Sequence, residues 1–570
     1  MNVPINGLRM LAVEAGLLIA FTPLSWLAFQ YFPRVISRPR WRNALLARRW
    51  RAVLFVVVVA LVGRAALLPW IGIPHPRVND EYSYLLMGDT FAHLRLTNPT
   101  PASWPHFETF HVNLTPTYHS KYPVAQGLAL GLGEVLFRQP WIGVYLSTAL
   151  LCGAICWTLQ AFVAPEWALV VALLATSRLA LFSYWMNSYW GGSIAALGGA
   201  LALGSVVRLF DPNCASNRRA LAVVFALSLL ILANSRPYEG LAFAVPLLAY
   251  FAFKALKGTL RREISLRFTV LPVLAIGIAG LLWMAYYNQR TTGDPFLFPQ
   301  ILNERTYSPL PLFLWQQAKP PVSFHDPVFK KFFDLTVSEY QYETVKSIAG
   351  VCGLEIRRLL TNWFFYVGVA LSLPAPLGMF LAIREPRGRI TVLVALSTMI
   401  AIALCTYSML HYAAPATITV YVLAALGLSY LWQQGGAERS FAVAVCLTVL
   451  VTSLLRQNGS SLKMTFAYPD TRELIARQLS AQPGKQLVLV SYDLQHHYPG
   501  DELVHNDADF ASQKILWARS KGGGKDEELC LSYGDRTFWS VTTDDMNFKL
   551  LPLELCNFTN RMTTEPPPTK

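Results

Sequence analysis

Apolar residues along this chain come in long runs separated by short polar breaks. The runs lie near 8–32, 52–73, 140–163, 166–183, 191–210, 220–233, 240–256, 268–287, 362–383, 390–409, 412–432 and 440–455. Each approaches or reaches the roughly 20 residues that a bilayer-spanning helix needs, so about twelve spans are predicted. Charge alternates between them. The break at 33–51 carries arginines at 34, 38, 40, 42, 48, 49 and 51 and no acid. Membranes keep such loops on the cytoplasmic side. Counting from there, the basic breaks at 218–219, 254–267, 384–389 and near Arg439 also fall inside. The opposite breaks, "YWMNSYWGG" (184–192), "NSRPYEG" (234–240) and "LHYAAP" (410–415), together hold a single arginine and no lysine. The same count puts the N-terminus outside. It also puts every histidine (75, 93, 106, 111, 119, 325, 411, 496, 497 and 505) in or beside an outside segment.

Three outside segments are long. The first, 74–139, ends in "KYPVAQGLALGLGEVLF", which is apolar but too short and glycine-rich to span, and so predicts a helix lying along the membrane surface. The second, 288–361, holds "TTGDPFLFP", a proline-rich stretch at 309–327 and an amphipathic stretch at 334–360. Connections of that length are functional or disordered. The third is the tail from 456. There "PDTRELIARQLSAQ" predicts a helix, "KQLVLVSYD" a buried strand, "NDADFASQKILWARS" a second helix, and "ELCLSY" with "TFWSVTT" a strand pair. The expected organisation is an N-terminal span with a basic loop (1–51), a membrane domain (52–455) and a small α/β extracytoplasmic domain (456–570).

Composition supports a lipid-embedded chain. Only 14% of residues are charged and 54% are hydrophobic, with a mean hydropathy of +0.36, where a soluble domain would carry about 25% charged residues. The net charge of +14 is then a property of inside loops, not a nucleic-acid surface. The eight cysteines form no CxxC pair near histidines, which argues against a zinc site or a dense disulfide framework. Cys152, Cys156, Cys405 and Cys446 sit in apolar runs as packing residues, while Cys530 and Cys556 share the tail, where a disulfide is open to them. The first apolar run is too long for a cleavable signal peptide and is followed by arginines.

Against this background a few polar residues stand out. Asp80 and Glu81, in "RVNDEYSYLL", follow directly after a span. One reading is a helix cap, with Asn79 capping and acids at the positive helix end. The other is a general base at membrane-surface depth, where a lipid-anchored substrate is reached; Tyr84 lies one turn on. "TYHSKYP" offers His119, Lys121 and Tyr122, the lysine either snorkelling to headgroup level or stabilising a leaving phosphate. Arg236 is the lone arginine of the outside breaks; it pairs with Glu239 locally or is held there for use. His411 and Tyr412, and Tyr189 with Trp190, suit a headgroup or sugar as well as they suit an aromatic belt. His106, Glu108, His111 and His119 have the side chains for a metal but irregular spacing, and "HNDADF" (505–510) reads better as a solvated helix cap than as a cation site.

These features together resemble the membrane-embedded GT-C glycosyltransferases, near the protein O-mannosyltransferases and lipid A aminoarabinose transferases. The acidic pair Asp80–Glu81 matches the opening of that superfamily's first outside loop. "KYPVAQGL" is similar to its Lys-Pro segment, with Tyr122 inserted between Lys121 and Pro123, and "HYAAP" resembles the start of a late span. The likeness covers about residues 52–430 and leaves the first span and the tail unmatched. It implies a GT-C-like polytopic helical fold in a bacterial inner membrane. The implied reaction is inverting transfer of a sugar from a polyprenyl-phosphate donor to an extracytoplasmic glycan, lipid or protein. Asp80 would be the base, Glu81 its positioning neighbour, and Lys121 with Arg236 or His411 would hold the departing phosphate. Tyr84, His119, Tyr122, Tyr189, Trp190, Glu239 and Tyr412 would contact substrate. No DxD lies near the acidic pair, so no metal is assigned, although the superfamily leaves a divalent ion open. Two other classes compete: a lipid-linked-substrate transporter or flippase, which would place ionisable groups within several spans where only Arg64 and Arg178 stand out, and a non-catalytic assembly protein on the same scaffold.

Overall fold

The computed structural model describes residues 5–31, 45–190, 192–260, 265–317, 319, 324, 326–339, 347–455, 471–495, 501–544 and 547–553. The arginines at 34–42, His325, His496, His497, Cys556 and the terminal "TTEPPPTK" lie outside these residues.

Helices dominate. The chain begins with α1 (Ile5–Tyr31), α2 (Arg49–Ala66) and the short α3 (Leu68–Ile71). The first long loop opens with α4 (Asn79–Ala92) and closes with α5 (Val124–Phe137); between them β1 (Val112–Asn113) pairs antiparallel with β2 (His119–Ser120). Then come α6 (Trp141–Leu159), α7 (Pro165–Ala175), α8 (Gly192–Leu209), α9 (Arg218–Ala233), α10 (Pro237–Leu260) and α11 (Leu266–Thr292). The second long loop carries α12 (Pro299–Tyr307) and α13 (Pro327–Glu339). The helices α14 (Ile348–Tyr366), α15 (Pro374–Ala382), α16 (Pro386–Ala403), α17 (Thr417–Gln434) and α18 (Gly436–Leu455) complete the helical part.

Eight described segments are long and apolar enough to cross a membrane: Arg9–Tyr31, Trp141–Leu159, Gly192–Leu209, Pro237–Thr259, Leu266–Thr292, Pro386–Ala403, Leu410–Gln434 and Gly436–Leu455. The other four predicted runs are shorter or interrupted. Run 52–73 stops at Ala66, and its helix carries Arg49, Arg51 and Arg64. Run 166–183 gives α7 and then a π-helical turn, Thr176–Leu181. Run 220–233 forms α9, of 16 residues. Run 362–383 breaks after Tyr366: Gly368 takes φ +66°, where any side chain would strike the Arg178 guanidinium and the Glu14 carboxylate, and Pro374 starts a new helix.

The charges buried within the bundle are held internally. Arg64 donates to the Asn187 side chain (2.9 Å) and the Gly72 carbonyl (2.7 Å). Arg178 donates to the carbonyls of Phe364 and Phe365 and lies 3.8 Å from Glu14. Small residues set the closest helix approach: a Cβ at Gly378 would fall 1.8 Å from the Leu423 carbonyl oxygen, and one at Gly427 would fall 1.9 Å from that of Pro374, so α15 and α17 meet through bare backbone. Helix α5 packs Gly127 and Gly131 against α4 and turns Leu128, Leu132, Val135, Leu136 and Phe137 outward. One face of this apolar helix is therefore packed on protein and the other is exposed.

The tail forms a four-stranded sheet of order β4-β3-β5-β6, with β3 (Lys485–Tyr492), β4 (Ile515–Arg519), β5 (Arg536–Thr543) and β6 (Phe548–Pro552). Strand β3 runs parallel to β4 and β5, and β6 is antiparallel to β5. Helices α19 (Thr471–Ser480) and α20 (Gly524–Ser532) accompany it. Two sequence expectations are corrected here. "ILWAR" is a strand, not part of a helix, because it pairs with β3 over its whole length; "ELCLS" is helical, not a strand. Side chains alternate across the sheet with period two. Val488, Val490 and Trp517 pack with Ile475 and Leu479 of α19 on one face. On the other, Leu487, Leu489, Leu516 and Phe538 share a core with Leu86, Phe107, Val112, Leu114 and Tyr118 of the first loop. The sheet is therefore fused to that loop. Cys530 is disulfide-bonded. Residues 505–510 form a connection against α4, not a helix cap: His505 stacks on Tyr82 at 4.1 Å and the Ala508 N–H donates to Asp89 (2.6 Å).

Candidate active site

Asp80 and Glu81 are neighbours on one helical turn, so their side chains leave the axis about 100° apart and face different surroundings. Glu81 turns inward. Its carboxylate accepts from the backbone N–H groups of Arg77 (2.8 Å), Val78 (3.3 Å) and Tyr189 (2.8 Å). It thus caps the first turn of α4 and ties it to the 184–192 segment. Burial, opposed by those N–H donors, pushes its carboxyl up to about 7. Asn79, the expected cap, instead meets the His505 ring at 3.2 Å.

With Glu81 engaged, Asp80 is left facing a cavity of about 510 Å³. Tyr122 donates its hydroxyl to one Asp80 oxygen, and the His111 ring nitrogen lies 3.6 Å from the other. Burial pushes the Asp80 carboxyl up, but His111, the Tyr122 hydroxyl and Lys121 outweigh it and hold the group below the usual carboxylate range. His111 itself is pushed down to about 4, by burial first and then by Lys121. At neutral pH the pair is a carboxylate beside a neutral imidazole.

The cavity wall gathers Asp80, Tyr84, Lys121, Tyr122, Trp190, Arg236, Glu239, His411 and Tyr412 from five separate stretches of sequence. Tyr84 and Tyr122 stack at 4.3 Å. Trp190 meets His411 edge-on at 4.8 Å, and the His411 ring lies 3.4 Å from the Tyr184 hydroxyl. The Arg236 guanidinium sits 4.4 Å over the Tyr412 ring. Among the described residues no carboxylate comes within ion-pair distance of it, so of the two readings of Arg236 the close pair with Glu239 does not form. Lys121 differs: its ammonium is 3.4 Å from Glu304, a residue of α12 that the sequence did not single out.

Glu81, His119 and Tyr189 lie outside the cavity wall. The His119 ring is buried between Asn113 and Thr117 and is pushed down to about 4 by burial. The Tyr189 hydroxyl donates to the Pro74 carbonyl at 3.0 Å. Nothing in the sequence marked His111 as the partner of Asp80; that pairing depends on the β1–β2 turn folding back over α4.

The metal candidates are dispersed. His106 faces Asp526 (3.3 Å), Glu108 accepts from Tyr307 (3.2 Å), and His111 and His119 are placed as above. Among the described residues no group of three or more His, Cys, Asp or Glu side chains converges. One carboxylate and one imidazole at Asp80 do not make a divalent-ion site of the usual ligand number.

No family model matches this chain, and no curated protein matches it. Solved structures do. ArnT from Cupriavidus metallidurans, in the crystal structure bound to undecaprenyl phosphate, is 12% identical with a TM-score of 0.51, over 86% of this chain and 93% of that one. Its apo form is 14% identical, with a TM-score of 0.50 over 86% and 92%. The Archaeoglobus fulgidus oligosaccharyltransferase, in complex with Zn and sulfate, is 11% identical, with a TM-score of 0.50 over 86% and 67%. Eight membrane-capable segments among the described residues, long loops around one cavity and this shared architecture give the chain the fold of these solved structures.

Proposed function

We propose that this chain is an integral membrane glycosyltransferase that moves a sugar from a polyprenyl-phosphate donor to an acceptor hydroxyl or amine on the extracytoplasmic side. One observation carries the reading: a carboxylate, Asp80, and an arginine, Arg236, with no acid in ion-pair range among the described residues, face one aromatic-walled cavity. A base and an anion-holding cation are the two groups an inverting transfer needs. The acceptor heteroatom attacks the anomeric carbon and gives its proton to Asp80. The bond from that carbon to the phosphate oxygen breaks, and the electron pair leaves with the polyprenyl phosphate toward Arg236. Lys121 and His411 add positive and hydrogen-bonding character to the same wall, and Trp190, Tyr84 and Tyr412 offer faces on which a sugar ring stacks. Glu81 acts at one remove, by anchoring the turn that aims Asp80. The arginine-rich breaks favour placing the cavity and tail outside the cytoplasm.

Asp80→Asn, purified into nanodiscs and given a labelled polyprenyl-phosphate sugar and acceptor, should transfer about 10²- to 10⁴-fold more slowly, the usual worth of a positioned base. The variant should keep the wild-type thermal unfolding profile. Transfer at the wild-type rate would remove the assignment.

A further inference from the structure

A second polar hollow, of about 320 Å³, lies at the far ends of the helices that build the cavity. Helix α8 follows Trp190 of the cavity wall and delivers Arg208 to this hollow at its other end. Helix α16 runs the opposite way, with Arg387 in its first turn at the hollow and Cys405, just past its end, on the cavity wall. Each has 18 residues, a rise of about 27 Å. The two pockets are therefore about one hydrocarbon thickness apart, on opposite membrane faces.

Arg49, Arg208 and Arg387 line the hollow with one acid, Asp211. Arg208 is buried, stacked 4.2 Å over Trp157, and donates to the carbonyls of Gly204 and Trp157, so its guanidinium is fixed in place. Asp211 is committed to Arg387 at 2.8 Å. Arg49 makes no ion pair among the described residues. Three cations gathered around one acid repel one another, and in a partly desolvated hollow that cost is relieved by an anion. Four further arginines precede this site in sequence, at 34, 38, 40 and 42.

We propose that this hollow binds the phosphate group of an anionic phospholipid headgroup, on the membrane face opposite the sugar-transfer cavity. Basic pockets between spanning helices take such headgroups, and a site at the ends of spans lies at headgroup depth. The inference does not depend on the transfer reaction.

The test is native mass spectrometry of lipid retained by the full chain released from mixed phosphatidylcholine–phosphatidylglycerol nanodiscs, with thermal unfolding of each variant as a folding check. The wild type should retain phosphatidylglycerol preferentially. Arg49→Gln/Arg387→Gln should lower that preference about tenfold or more, as charge-assisted contacts are lost. Asp211→Asn, which frees Arg387, should raise it. Equal retention by wild type and the double arginine variant overturns the proposal, and so does a loss in Asp211→Asn as large as in that variant. Inorganic phosphate alone forms a second arm. Its displacement of phosphatidylglycerol from the wild type supports recognition through the phosphate group, whereas phosphate binding without any phosphatidylglycerol preference assigns the hollow to free phosphate and overturns the lipid assignment.

Discussion

Two regions of this protein concentrate buried charge, and they treat it in opposite ways. Where the tail meets the loops, Arg519 is buried against Glu502 (2.5 Å) and Asp326 (3.5 Å), and Lys521 reaches Asp326 at 3.2 Å. Tyr492 donates to Glu502, and the Arg519 guanidinium lies over the Phe329 and Tyr492 rings. Two cations meet two acids, and the set is closed. In the cavity, Arg236 rests on an aromatic ring with no acid in ion-pair range among the described residues, and Asp80 has a hydroxyl and a neutral imidazole for company. A closed set holds elements together; an open one is shaped for a charge that arrives later. The closed set also supports the open one, because Phe332 and Phe333 on α13, the helix that begins beside Asp326, line the cavity.

The comparison can be broken at several points, beginning with Asp80→Asn, whose loss of transfer should be the largest effect and should leave stability alone. Arg519→Met should do the reverse. It strands Glu502 and Asp326 in the interior, so thermal unfolding should report a loss of about 3–5 kcal/mol. Transfer by the molecules that remain folded should change less than in any cavity variant; a stable but inactive Arg519→Met would erase the distinction. Arg236→Gln should slow transfer about 10²-fold, the scale of one lost donor to a developing anion. Lys121→Met should cost less, because Glu304 already neutralises that ammonium. Equal losses in steady-state rate for the two variants would mean that an ion-paired cation serves the phosphate as well as an open one.

The smallest effect concerns pH. The proposed base, Asp80, has to be deprotonated to act, so the rate should be lost as pH falls through its folded-state value, which lies below the ordinary carboxylate range. The rate should hold from neutrality down through the ordinary carboxylate range and decline only below it. His111 adds a stability term of defined sign. Burial holds it at about 4 in the fold, below the ordinary 6.5 of a histidine, so its contribution is present above 6.5 and is lost as pH falls from there toward 4. His111→Gln should flatten unfolding temperature over that window and move the acid limb of transfer upward, since one of the groups holding Asp80 down is gone. An acid limb near 6.5 in the wild type would point to a histidine as the base.

How much of this was legible in the sequence varies with how local the cause is. Long apolar runs identified the spanning helices, because about 20 residues of one character leave a bilayer helix little alternative. They failed where the cause was remote: run 362–383 breaks at Gly368, whose close neighbours are Arg178 and Glu14, far away in sequence. In the tail, "ILWAR" and "ELCLS" are too short for their apolar pattern to separate strand from helix, and pairing with β3 decided the first. The candidate site divides in the same way. Asp80, Arg236 and His411 were visible as polar residues out of keeping with their surroundings. The resemblance implied different roles for Asp80 and Glu81, but the contacts that turn Glu81 inward were not visible, since they include the N–H of Tyr189, 108 positions away.

By itself, then, the sequence determined that this is a helical membrane chain with chemistry-bearing residues in the breaks between its spans. Transfer energies of apolar runs and charges act residue by residue and survive without a fold. Tertiary structure alone decided which acid faces the cavity, which cation is neutralised and which is left open, and that the tail shares its core with the first loop. Each of these is a contact between residues distant in sequence, and electrostatic pairing depends on distances that no local pattern encodes.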